Sequence, residues 1–105
     1  MIVVVGRVCT DAEKRAQMLE VAHKVATASR EEEGCVDYRV FEDTEQPNNF
    51  VFVEEWKDED ALQQHFATPH IAEFMQAVMG TIVAPPDVRF HEIASTRDLS
   101  QVGAG

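Results

Sequence analysis

Basic residues are scarce in this chain: nine lysines and arginines stand against nineteen aspartates and glutamates in 105 residues, a net charge of −10. A surface this acidic repels phosphate backbones and anionic headgroups, which argues against nucleic acid or a membrane as partner and favours a small or neutral one. Cysteine is nearly absent. Cys9 and Cys35 lack the number and spacing of a structural zinc site. With no leader-like segment or long apolar run in view, they read as reduced thiols of a cytoplasmic protein. Cys35 follows Gly34 at the start of a strand, where a small buried hydrophobe is expected. GxGxxG and P-loop patterns are missing too, so no nucleotide cofactor is expected.

What the chain does have is concentrated in residues 49–74, NFVFVEEWKDEDALQQHFATPHIAEF. Side chains in an extended segment alternate between faces, so Phe50, Phe52, Glu54 and Trp56 point together. A carboxylate among three large aromatics is pushed toward its neutral form unless a partner offsets the burial. Asp58 is placed to cap the helix that follows, with Glu59 and Asp60 favoured by the dipole of its first turn.

The remaining organisation is an alternation of strands and helices without linker or repeat. Residues 2–8, IVVVGRV, form a β-branched run suited to a covered strand. Thr10 or Asp11 then caps a long helix with Met18, Val21, Ala22, Val25 and Ala28 at helical spacing, and Gly34 is expected to stop it. CVDYRVFED and NFVFVEEWK read as a hairpin around Thr44 to Asn48. Two short helices divided at Pro69 follow, and Gly80 ends the second. A last strand covers residues 87–94, and residues 96–105 are expected to form a mobile tail.

The order βαββααβ predicts a single α+β domain over residues 1–95 with a ferredoxin-like split βαβ sheet and helices on one face. Val3, Val5, Phe50, Phe52 and Trp56 exceed what helices on one side are expected to cover, which predicts a homodimer across the sheet.

The spacing Glu54-x-Trp56, His65, Pro69-His70 and Phe74, with a Glu-x-Gly-Cys-x-x-Tyr segment inside residues 31–43, resembles the antibiotic biosynthesis monooxygenase family, including its quinol monooxygenase branch. The resemblance implies a dimeric α/β barrel with a pocket between sheet and helices in each subunit. A haem-degrading relative would instead be expected to carry an asparagine, a tryptophan and an iron-ligating histidine near the positions of Arg7, His65 and Met75, a pattern this chain does not follow.

The expected activity is therefore cofactor-free oxidation by O2 of a small phenol or quinol after proton abstraction. Its parts would be a base tuned near neutral pH, a donor for the developing oxyanion and an aromatic slot. His65 is read as the base, His70 or Arg7 as the donor and Glu54 as a further acid–base group. Trp56, Phe52, Phe74 and Tyr38 would contact the substrate. His65 and His70 are five positions apart across a proline, which disfavours a metal pair on one helix face; a metal site would need Glu54 as its third ligand. Two other readings stay open at this stage: a protein that only binds a small aromatic, and a cofactor-free isomerase or cyclase using the same histidines.

Overall fold

The computed structural model describes residues 1–103. Strand β1, Ile2–Cys9, is followed by a 3-10 turn, Ala12–Lys14, and helix α1, Arg15–Arg30. Strands β2, Cys35–Glu42, and β3, Asn49–Trp56, form the expected hairpin, and helices α2, Glu59–Phe66, and α3, Pro69–Met79, precede strand β4, Asp87–Glu92. The sheet order is β2-β3-β1-β4 and every neighbouring pair is antiparallel. This is the ferredoxin-like α+β arrangement, with α1, α2 and α3 on one face. No helix among the described residues is long and apolar enough to cross a membrane.

Local chemistry explains where these elements start. Asp11, not Thr10, caps the 3-10 turn by accepting from the Glu13 amide. The Asp58 carboxylate accepts from the Ala61 amide at 2.8 Å, and the Thr68 hydroxyl accepts from Ile71 with Pro69 next in line, each satisfying a free amide of a first turn. In the hairpin loop Asn48 takes the left-handed conformation, φ 71°, which asparagine tolerates better than most residues.

Gly34 has a different role from the one its position suggested. Helix α1 ends at Arg30, four residues earlier, and Gly34 does not adopt positive φ. A Cβ at this position would collide with the Cβ of Ala61. Gly34 is there for close approach of β2 to α2, which its carbonyl seals by accepting from the Lys57 amide at 3.0 Å.

The two faces of the sheet also divide differently from expectation. Phe50, Phe52 and Trp56 are buried beneath the helices with Val4, Met18, Val25 and Leu62. The opposite face carries Val3, Val5, Val51 and Val53, all half-buried. The register places Arg7, Arg39, Asp37, Glu55, Asp87 and Arg89 around them. Phe41 pairs with Val51 on this same face and is exposed, so the uncovered surface is a narrow valine strip with an aromatic ring beside it and a mostly charged border. Residues 96–103 of the expected tail include one helical turn, α4, Leu99–Val102, capped by Asp98 and burying no residue; residues 104–105 lie outside the described residues.

Candidate active site

Between the sheet and helices α2 and α3 lies a cavity of about 410 Å³. Val4, Gly6 and Val8 of β1, Phe52 of β3, Val88 of β4 and Ile71, Phe74 and Val78 of α3 line it. Gly6 presents no side chain where Phe52 and Val88 approach from either side, so the strand register itself leaves room there. Among the described residues the polar side chains on the wall are Tyr38, Glu54 and His65. They gather at one end, and the rest of the wall is apolar.

His65 comes from the last turn of α2 and is 1% exposed. Its ring lies over the Trp56 indole with centroids 4.4 Å apart. Nδ1 is 2.7 Å from Glu32 Oε2, and because a carboxylate only accepts, Nδ1 carries the hydrogen and Nε2 is left with a lone pair. Nε2 is 3.9 Å from Glu54 Oε1. Burial pushes the His65 pKa down, against the opposing pull of the Glu32 hydrogen bond and charge, which favours the neutral imidazole. The arrangement is that of a base held in one tautomer by a carboxylate behind it.

Glu54 sits opposite Tyr38 in the β2–β3 pairing and accepts from the Trp56 indole N–H at 3.0 Å. Burial pushes its carboxyl up to about 7, offset in part by bonds from Trp56 and Tyr38, with the Glu32 charge adding to the rise. An unfolded chain titrates this group near 4.5, so the folded state holds the proton between about pH 4.5 and 7. Stability from Glu54 is therefore complete below that window and is lost as pH rises through it. Replacing Glu54 by Gln removes this loss, and the variant should gain on the order of 2 kcal/mol relative to wild type between about pH 5 and pH 8 in urea unfolding. A gap that does not change with pH would mean that Glu54 titrates in the folded protein as it does in water.

Of the residues singled out from sequence, His65, Glu54, Tyr38, Phe52 and Phe74 meet at the cavity, with Phe52 and Phe74 rings 5.3 Å apart. Three do not hold the places read for them. Trp56 lies behind His65 and supports it from below, outside the cavity lining. Arg7 alternates with Val4, Gly6 and Val8 and so faces the other side of the sheet, beside Val51 and Asp87. His70, in the first turn of α3, turns toward α1 and bonds Glu32 Oε2 through Nε2 at 2.8 Å. Neither Arg7 nor His70 lines the cavity. Cys35, expected to be buried, is half-buried and packs against the core; burial, with nearby carboxylates, raises its thiol to about 11.

Glu32 is the residue that sequence reasoning missed. It lies in the acidic run Glu31-Glu32-Glu33, of which it alone is not exposed. Its place in the Glu-x-Gly-Cys segment was the available signal.

Residues 1–77 match the sequence profile described as antibiotic biosynthesis monooxygenase. An uncharacterised protein of Synechocystis is 32% identical over 98 residues, covering 93% of this chain and 67% of its own. YcnE of Bacillus subtilis, whose name marks it as a presumptive monooxygenase, is 38% identical over 88 residues, covering 84% of this chain and 93% of its own. A crystal structure titled as an antibiotic biosynthesis monooxygenase superposes with a TM-score of 0.85 at 26% identity, covering 90% of this chain and 100% of that one.

Proposed function

The chain belongs to the antibiotic biosynthesis monooxygenase family, and from this premise we propose that it is a cytoplasmic, cofactor-free monooxygenase of a phenol or quinol. The observation that carries the proposal is the Glu32–His65 pair, with Nε2 directed at the polar end of an otherwise apolar cavity. The substrate ring enters the carbon-lined part with its hydroxyl at His65. Nε2 takes the phenolic proton, and Glu32 at Nδ1 stabilises the imidazolium that forms.

The anion so produced gives one electron to O2, and the ring radical and superoxide join at a ring carbon that bears hydrogen. Loss of water from this hydroperoxide leaves a carbonyl. A hydroquinone and O2 thus give a hydroxyquinone and water, with one oxygen atom in each product. Glu54 in its neutral form avoids repelling the anion, and with Tyr38 it replaces His70 and Arg7 as the donor side of the site.

The deciding experiment is an oxygen electrode trace with the purified protein on a panel of hydroquinones and naphthols, with product mass read after turnover in 18O2. Uptake of one labelled oxygen atom per product supports the proposal. Saturable binding without oxygen uptake points to a carrier, and rearranged product without label points to an isomerase.

A homodimer is part of the same reading. The valine strip on the uncovered sheet face and its border of both charge signs suit a second copy turned over on the first. Light scattering at micromolar concentration should give twice 11.8 kDa; a folded species at 11.8 kDa would rule the dimer out.

A further inference from the structure

We propose that Glu32, His65 and His70 form a binding site for a first-row divalent cation, Zn2+ above all, and that the ion blocks the base rather than serving it. The three donors converge from elements far apart in the chain: Glu32 Oε2 is 2.7 Å from His65 Nδ1 and 2.8 Å from His70 Nε2. All three ligand atoms lie within 4.8 Å of one another. Donors around a tetrahedral zinc at about 2.0–2.1 Å stand roughly 3.4 Å apart. Seating an ion therefore requires the Glu32 carboxylate to retreat by about half an ångström or more and the two imidazole nitrogens to close to about that spacing, and the hydrogen on each ligating nitrogen moves to the other nitrogen of its ring, so that both imidazoles stay neutral. Two imidazoles and one carboxylate suit zinc and its neighbours, and leave a fourth position for water.

Two further observations fit an ion. A metal-bound imidazole needs a partner for its other nitrogen, commonly a carboxylate, and Glu54 Oε1 lies 3.9 Å from His65 Nε2. An access path also exists, because His70 lines a cleft of about 240 Å³ between α1 and α3, with Glu20 and Glu73 at its sides. The cleft is separate from the cavity between sheet and helices, so an ion and a substrate arrive from different directions.

The consequence for turnover rests on the reading of His65 as base. A cation on Nδ1 requires the hydrogen on Nε2, pointing toward Glu54, and a nitrogen that carries hydrogen cannot accept the substrate's proton.

The site is tested by titrating the chelator-treated protein with Zn2+ in the calorimeter and with Co2+ by its visible absorption, in a non-coordinating buffer at about pH 7.5. One ion per chain with Kd of about 1 μM or tighter is expected, and His70→Ala should weaken it at least tenfold. His70→Gln guards against a folding artefact, since its amide can still donate to Glu32 while removing the imidazole; it should lose affinity with its melting curve kept. His23→Ala and His91→Ala should bind as wild type does. Absence of binding up to about 1 mM, or affinity indifferent to both His70 variants, would overturn the site. Binding is read without turnover, so a site that binds but leaves activity untouched would count against His65 as base and not against the site.

Discussion

His65→Ala should lower kcat by about a hundredfold or more with a smaller change in KM, because the apolar wall still holds the ring while the proton acceptor is gone. His65 is buried against Trp56 and Tyr38, so the alanine variant will also lose stability, and rates must be expressed per folded molecule. His65→Gln controls for this: it fills more of the space and can donate to Glu32 but has no basic nitrogen, so it should lose turnover to a similar extent. Glu32→Gln should cost less, about tenfold, since Nε2 remains while its tautomer and orientation are held by a neutral acceptor. A His65 variant with normal kcat on an accepted substrate would remove the residue from the mechanism and turn attention to Glu54.

Trp56→Ala should be the most destabilising single change, by about 3–5 kcal/mol. The side chain is 0% exposed, meets Tyr38 edge-on at 6.4 Å, supports the His65 ring and donates to Glu54. Its loss leaves a cavity under the site and a buried carboxylate short of a donor. For a domain of this size the melting temperature should fall by roughly 15 °C or more at equal protein concentration. Trp56 is the sole tryptophan, so far-UV circular dichroism must report the transition. Trp56→Phe keeps most of the area and should cost about 1–2 kcal/mol, the share of the indole N–H and the lost ring. Equal costs for the two variants would show that the hydrogen bond, and not the packing, dominates.

Much of this architecture was legible in the residues. The period of two placed Phe50, Phe52, Glu54 and Trp56 on one face, and they are buried together; the caps at Asp58 and Thr68 stand as read. What failed was parity and long range. Strand β1 is apolar at every position from Ile2 to Val5, so no alternation says which side Arg7 takes. That side is fixed by the pairing of Gly6 with Phe52 and Val88. The valines that face outward show no contrast with the inward set either, so the sequence does not say which of Val3, Val5, Phe50, Phe52 and Trp56 the helices leave uncovered; the three aromatics are the covered ones. Glu32 is 33 residues before His65, and its neighbours Glu31 and Glu33 look the same in sequence. Only the closing of the β2–β3 hairpin makes one of the three different. Gly34, read as a helix stop, is explained by a neighbour 27 positions later, Ala61.

That hairpin has a consequence for how the protein can diversify. Glu32 precedes β2, His65 follows β3, and Tyr38, Glu54 and Trp56 lie on the two strands, so the whole of the proposed acid–base apparatus falls in one contiguous third of the chain. The surfaces that would measure a substrate's shape are contributed largely by β1, α3 and β4, which lie outside that stretch. Inheritance can therefore vary Gly6, Val8, Val78 or Val88, widening or narrowing the slot by a methyl group at a time, without disturbing the groups that move the proton. A scaffold wired in this way lets new substrates be sampled while the chemistry is retained.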